Sequence, residues 1–298
     1  MLGDSGAVKR YSDGTSAYDL LVRIRIIDAF TDRPFAGNPA AVCLLNADAW
    51  PDEGWMRQVA AEMNLSETAF AYPLPEPANA DWALRWFTPT VEVDLCGHAT
   101  LATAHALRSD RGTPGTVRFG SRSGVLVTHA HDDGTITLDF PAAPATEIPV
   151  PDGLAEALDA KPDASYGTGD LGDLLAIFPD EAGVRALAPD FTALTHLARR
   201  DGIRGVIATA PAAGPGSGYD FVSRFFAPAQ GIPEDPVTGS AHTALAPYWS
   251  GRLGRDSLTG LQASARSGLV RAAIHGDRVH LTGHAITVLD GTLHHIAR

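Results

Sequence analysis

Glu67 lies in Asn64-Leu65-Ser66-Glu67-Thr68, where a predicted helix ends and an apolar strand begins. A carboxylate held against apolar walls has a raised pKa and can exchange protons near neutrality. On position alone the same residue would be an exposed glutamate. Two other places, Gly97-His98 and Gly239-Ser240, open apolar helical runs with glycine. A helix that starts there leaves its first backbone N–H groups free and presents the positive end of its dipole, which suits a small carboxylate. Such glycines also serve simply as tight turns into buried helices.

Polar groups gather just ahead of both helix starts. Asp94 and Cys96 precede the first, and Glu234, Asp235 and Thr238 precede the second. Asp235 sits in Pro233-Glu234-Asp235-Pro236, where the prolines restrict the backbone and can fix a side chain's direction; a loop aspartate is equally a turn former. His98, at a helix N-terminus, is expected to favour the neutral imidazole, and a packed histidine would fit the same pattern. If both helix starts face one cleft, these residues can transfer a proton on a carboxylate held between them.

Other motifs give little. His129 and His131 could share one strand face, but no third ligand has metal-site spacing. His294-His295 reads as a surface pair. There is no phosphate-cradling glycine loop, no G-x-G-x-x-G, no H-E-x-x-H and no G-x-S-x-G. Nucleotide cofactors, serine hydrolysis and a metal centre are therefore not expected.

Short apolar or alternating segments bounded by Gly and Pro supply the scaffold. Strands are predicted over 20–27, 40–45, 68–72, 117–119, 125–129 and 135–140, then over 174–178, 205–209, 219–225, 269–274, 278–281 and 285–289. Helices are predicted over 51–63, 97–108, 153–160, 184–187, 190–200 and 239–251. Long runs of strands around isolated helices indicate an α+β fold. The chain also repeats itself: Arg85-Trp86-Phe87 matches Arg224-Phe225-Phe226, the helix start at Gly97 matches that at Gly239, and Arg122-Ser123-Gly124 matches Arg266-Ser267-Gly268. Offsets of 139, 142 and 144 residues in the same order indicate one unit written twice, packed as pseudo-symmetric lobes rather than as a short-period array. The helices at 97 and 239 lack a charged face over their first turns, so each is expected to be buried among the strands of its lobe.

At 298 residues the chain has room for two domains, with 45% hydrophobic and 19% charged residues marking a folded protein. Its net charge of −12 and lack of a basic cluster argue against nucleic acid as a partner. Residues 1–20 contain no continuous apolar segment and are expected to be a disordered leader. No apolar run is long enough to span a bilayer, so no membrane association is expected. Cys43 and Cys96 form no disulfide framework, which fits a cytoplasmic location.

The run DAFTDRPFAGNP at 28–39, Asn64-Leu65-Ser66-Glu67-Thr68, Arg85-Trp86-Phe87-Thr88-Pro89, Cys96-Gly97-His98-Ala99-Thr100 and the run PEDPVTGS at 233–240 resemble the PhzF-like isomerases of phenazine biosynthesis. The resemblance spans most of the chain from about residue 22. It implies the diaminopimelate-epimerase-like fold, with lobes at 21–141 and 142–284, a final strand at 285–298 returning to the first lobe, and the active site between lobes. It further implies a homodimer, no cofactor, and a small carboxylate-bearing substrate. By motif, Glu67 matches the family's acid/base, while His98, Asp235 and Ser240 match residues around the substrate and Gly97 and Gly239 the glycines that cradle it. Related epimerases and racemases place one thiol at each helix start; here the positions hold Cys96 and Thr238, which disfavours a two-thiol racemase. An epimerase or dehydratase using Cys96 stays open if the helix terminus depresses its pKa, as does a non-catalytic small-molecule binder on the same scaffold. Specificity is expected in cleft-flanking loops such as 210–219.

Overall fold

A computed structural model describes residues 22–76, 78–112 and 115–294. The leader expected at 1–20 and the last residues of the expected final strand, 295–298, lie outside the described residues. The first lobe runs β1 (Val22–Ala29), β2 (Asn38–Leu44), α1 (Glu53–Met63), β3 (Glu67–Pro73), β4 (Trp82–Phe87), β5 (Glu92–Val93), α2 (Gly97–Arg111), β6 (Gly115–Ser121), β7 (Gly124–Ala130) and β8 (Ile136–Pro141). The second begins with β9 (Thr146–Ile148), α3 (Leu154–Leu158), β10 (Ala164–Gly167), β11 (Asp173–Ile177), α4 (Glu181–Ala186) and α5 (Phe191–Asp201). It continues through β12 (Gly205–Pro211), β13 (Phe221–Ala227), β14 (Ile232–Asp235), α6 (Gly239–Leu253), β15 (Ser257–Gln262), β16 (Gly268–His275) and β17 (Arg278–Gly283). The last strand, β18 (Ala285–Leu293), pairs antiparallel with β1.

The pairing pattern occurs twice, strand for strand. β2–β3 and β11–β12 are parallel, β3–β4 and β12–β13 antiparallel, and β4–β6 and β13–β15 again parallel. β18 lies beside β1 as β9 lies beside β10. The lobes join where two equivalent strands, β8 and β17, pair with each other. Even the ion pairs repeat: Arg85 donates to Glu92 and lies 5.0 Å from the Phe87 ring centre, while Arg224 donates to Glu234 and lies 4.9 Å from that of Phe226. The sequence repeat at 85–87 and 224–226 thus records a guanidinium held between a carboxylate and the ring two residues on.

Each central helix is enclosed by the apolar faces of its own strands. Leu101, Ala102, Ala104 and Ala106 of α2 pack with Ile27, Val42, Trp86 and Phe119, and Ala241, Ala244, Leu245 and Trp249 of α6 with Leu175, Ile207 and Phe221. Small side chains allow this close wrapping. The outer layers are covered by α1 in the first lobe and by α3, α4 and α5 in the second. Asp52 starts α1 by accepting from the Trp55 N–H, and Asp190 starts α5 by accepting from the N–H groups of Thr192 and Ala193. Among the described residues no helix is long and apolar enough to cross a membrane.

Several elements differ from the sequence expectation. The helix expected at 184–187 begins three residues earlier, because the Asp180 side chain accepts from the Gly183 N–H. β4, with five of its six residues buried, does not alternate and gives no period-two signal. β14 contains Pro233, β15 contains Gly260, and β5 and β9 are only two and three residues long. Both cysteines are buried free thiols.

Candidate active site

The starts of α2 and α6 meet at the lobe interface. A Cβ on Gly97 would lie 3.3 Å from the Gly239 Cα, and one on Gly239 the same distance from the Gly97 Cα, so the two backbones approach as only glycines comfortably allow. Neither helix has a side-chain cap at its N-cap residue, Cys96 or Thr238. Gly97, His98, Gly239 and Ser240 line a cleft of about 540 Å³ together with Glu67, Cys96, Asp235 and Thr238. Asp94 lines the same cavity, whereas Glu234 is taken up by Arg224 and does not reach it.

Glu67, the first residue of β3, is buried, and its Oε2 is 3.3 Å from His98 Nε2. Neither atom has an aligned hydrogen-bond partner among the described residues. Burial is the main reason the Glu67 carboxyl is pushed up to about 8; the Asp235 charge adds to the rise, while a hydrogen bond from Cys96 and the charge of Arg204 oppose it. Burial lowers His98 to about 3 and keeps the ring neutral.

Asn38 determines which ring nitrogen carries the His98 proton. Its Nδ2 donates to Asp235 Oδ1 and the Val237 carbonyl, both at 2.8 Å, which fixes the amide's orientation. The same Nδ2 is 3.2 Å from His98 Nδ1. With both of its hydrogens engaged, this donor nitrogen offers no lone pair to an Nδ1–H, so Nδ1 stays unprotonated and Nε2 carries the hydrogen toward Glu67 and the cleft. Asp235 also accepts from Thr238 Oγ1 at 2.5 Å, yet burial outweighs both donors and raises its carboxyl to about 6. Gln262 completes the support: its Oε1 accepts from the Thr238 N–H, and its Nε2 donates to the Asp235 carbonyl and Thr238 Oγ1.

Asn38, Gln262 and Arg204 are absent from the residues singled out in sequence. Asn38 lies one residue before the end of the conspicuous 28–39 run, but the acceptors of its amide hydrogens lie 197 and 199 positions away. The rest of that run is a brace, with Arg266 donating to Asp28 Oδ1 and to the carbonyls of Ala36 and Gly37. Arg204 is a cleft cation, so the two helix starts are not the only positive groups there.

The condition attached to the Cys96 alternative is not met, and one expectation fails. Burial and the neighbouring Glu67 push the Cys96 thiol well above its ordinary value despite a hydrogen bond from the Ala99 N–H, so the helix terminus does not produce a ready thiolate. Loop 210–219 contributes Ser217, Gly218 and Tyr219 to a different cavity; the active-site walls come instead from 88–96, 170–171, 204 and 225–240. Glu67, Cys96 and His98 bring potential ligand atoms within 4.8 Å of one another, a grouping the sequence spacing did not reveal. A cation there would have to displace the protons that burial holds on Glu67 and Cys96. His129 and His131 pack edge to face and bond Thr116 and Thr137 respectively.

A family model described as phenazine biosynthesis-like protein (PhzC-PhzF) matches residues 27–291. An uncharacterized isomerase of Pseudomonas aeruginosa is 47% identical over 270 residues, covering 90% of this chain and 97% of its own. A crystal structure of a PhzF-family phenazine biosynthesis protein from Enterococcus faecalis superposes with a TM-score of 0.82 at 39% identity, covering 92% of this chain and 99% of that one. A hydroxyproline epimerase from Agrobacterium vitis, 12% identical with a TM-score of 0.60 and 92% of each chain covered, shares the fold.

Proposed function

Because the chain belongs to the PhzC-PhzF family of phenazine biosynthesis-like proteins, we propose that it is a cofactor-independent isomerase that shifts a proton on a small unsaturated carboxylic acid. The observation that carries this reading is the pair of unpartnered, buried atoms Glu67 Oε2 and His98 Nε2 at the meeting point of two uncapped helix starts. A carboxyl pushed up to about 8 has both protonation forms available near neutrality, as a proton shuttle requires.

Glu67 in its ionised form takes a proton from the activated carbon. The electron pair left behind enters the conjugated system, the double bond moves, and the protonated Glu67 returns a proton at the far carbon. No group is lost and no electron is transferred. Negative charge that develops on the substrate carboxylate falls against the free N–H groups at the starts of α2 and α6. His98 donates through Nε2–H and stays neutral, while Asn38, held by Asp235 and the Val237 carbonyl, keeps the ring in that tautomer.

The test is deuterium uptake from D2O, followed by NMR over a panel of small carboxylic acids. Glu67→Gln should abolish uptake by any acid the wild type exchanges, with an unchanged far-UV spectrum. Full exchange in that variant would remove Glu67 from the mechanism. Cys96→Ser should retain most of the exchange, whereas a thiol-based epimerase or dehydratase would lose it; ligand-induced stabilisation without exchange would indicate a binding protein.

A further inference from the structure

Proton transfer between Glu67 and substrate leaves the cleft's cation unused. Arg204 precedes β12, and its Nε and Nη2 donate to the two carboxylate oxygens of Asp173 at 2.9 and 2.5 Å. The other Nη2 hydrogen reaches Ser240 Oγ at 3.0 Å. The guanidinium carbon lies 5.5 Å from the Phe225 ring centre. That ring occupies the space a side chain at 205 would need, since a Cβ on Gly205 would lie 2.4 Å from Phe225 Cζ. Carboxylate, hydroxyl and ring thus orient the guanidinium before a ligand arrives.

One nitrogen remains. Among the described residues Nη1 has no hydrogen-bond partner, and the side chain is 38% exposed while that of Asp173 is fully buried. Arg204 influences Glu67 and Asp235 through its charge, with no hydrogen bond to either, so it stands apart from the proton-transfer atoms. Phe225, Ala227, Leu171 and Ile232 give the same cleft apolar wall, and a cavity of about 540 Å³ has more room than one carboxylate requires.

We infer that Arg204 is the binding residue for a second carboxylate, which makes the substrate class an unsaturated diacid with an apolar body between its two anionic ends. This rests on the proton-shift reading of the same cleft, with the first carboxylate at the helix starts and the second on Arg204 Nη1. A single free guanidinium nitrogen suits a carboxylate better than a phosphate, which would draw on several cations.

Isothermal titration calorimetry at pH 7 with glutaconate, phthalate and homophthalate, each against its monoamide, tests the inference. At least one diacid should bind the wild type about tenfold or more tightly than its monoamide, the strength of one charge-assisted hydrogen bond. In the Asp173→Asn/Arg204→Gln double variant, which leaves no orphan buried charge, that preference should fall to about twofold or less. A merely structural pair would weaken diacid and monoamide alike. Should the double variant fail to fold, Arg204→Lys keeps a cation beside Asp173 but has no Nη1, and should show the same loss of preference. The inference is overturned if no diacid outbinds its monoamide, or if the preference survives these substitutions. Glu67→Gln should keep the preference while losing deuterium exchange; exchange retained there would overturn the proton-shift reading instead.

Discussion

Taking the Glu67 carboxyl out of water makes its protonation a contributor to stability as well as to reactivity. Its pKa rises from 4.5 to about 8 on folding, so the folded state binds the proton more tightly. That stabilisation is fully present below pH 4.5 and is lost as pH rises through about 8. Glu67→Gln should therefore match the wild type near pH 4 and be the more stable protein above pH 8, by on the order of 3–5 kcal/mol, in thermal melts across that range. Catalysis should slope the other way, with kcat/KM passing its half-maximum near pH 8 and reaching a plateau only above it, as the base ionises. Asn38→Ala removes the donor to Asp235 and the Val237 carbonyl that also faces His98 Nδ1, and should cost about 1–3 kcal/mol. It should also release the His98 proton from Nε2, which ¹⁵N NMR would detect, and lower kcat more than it raises KM. Glu67 and His98 were legible in the sequence because their motifs are local. Asn38 was not, since its meaning depends on contacts across the interface, and the direction of the Cys96 shift stayed open because burial is invisible in a list of residues.

At the level of elements, the close approach of α2 and α6 aims two sets of backbone N–H groups at one place. Gly97→Ala would put a methyl 3.3 Å from the Gly239 Cα and force the helix starts apart by a few tenths of an ångström. A stability loss of about 1 kcal/mol and a fall in kcat of at least about tenfold are expected. Gly214→Ala, with nothing within 4 Å, serves as the control and should leave both unchanged. Both central helices were legible because a run of small apolar residues after glycine has few other uses. The strands around them were legible where they alternate or form short uninterrupted apolar runs, as in β11 and β12, and lost where Arg85 breaks the run in β4 or Pro or Gly interrupts, as in β14 and β15. Loop 210–219 has the composition of a specificity loop but faces elsewhere, and only the course of β12 and β13 decides that.

The two lobes have diverged in chemistry while keeping their strand pairing. Glu67 pairs with Ala40 where, in the other lobe, Gly205 pairs with Asp173. Val93 faces Trp86 where Asp235 faces Phe225. One copy thus brings the proposed proton shuttle, and the other the buried aspartate and the guanidinium; the cleft needs both lobes. The net charge of −12 said nothing of that cation, because a whole-chain sum does not report where one arginine lies. Repeat offsets made the two-lobe architecture legible, whereas the asymmetry of the cleft needed the register. Removal of residues 285–298 should strip β1 of one neighbour and lower solubility sharply, as measured by the soluble fraction on expression. The same strand has a consequence in time. Since β18 closes the first lobe and β17 joins β8, the first lobe stays unfinished while the entire second lobe is synthesised. A nascent chain held on the ribosome with residues up to 284 exposed should remain open to protease in its first 140 residues, long after a domain of that size would ordinarily have folded.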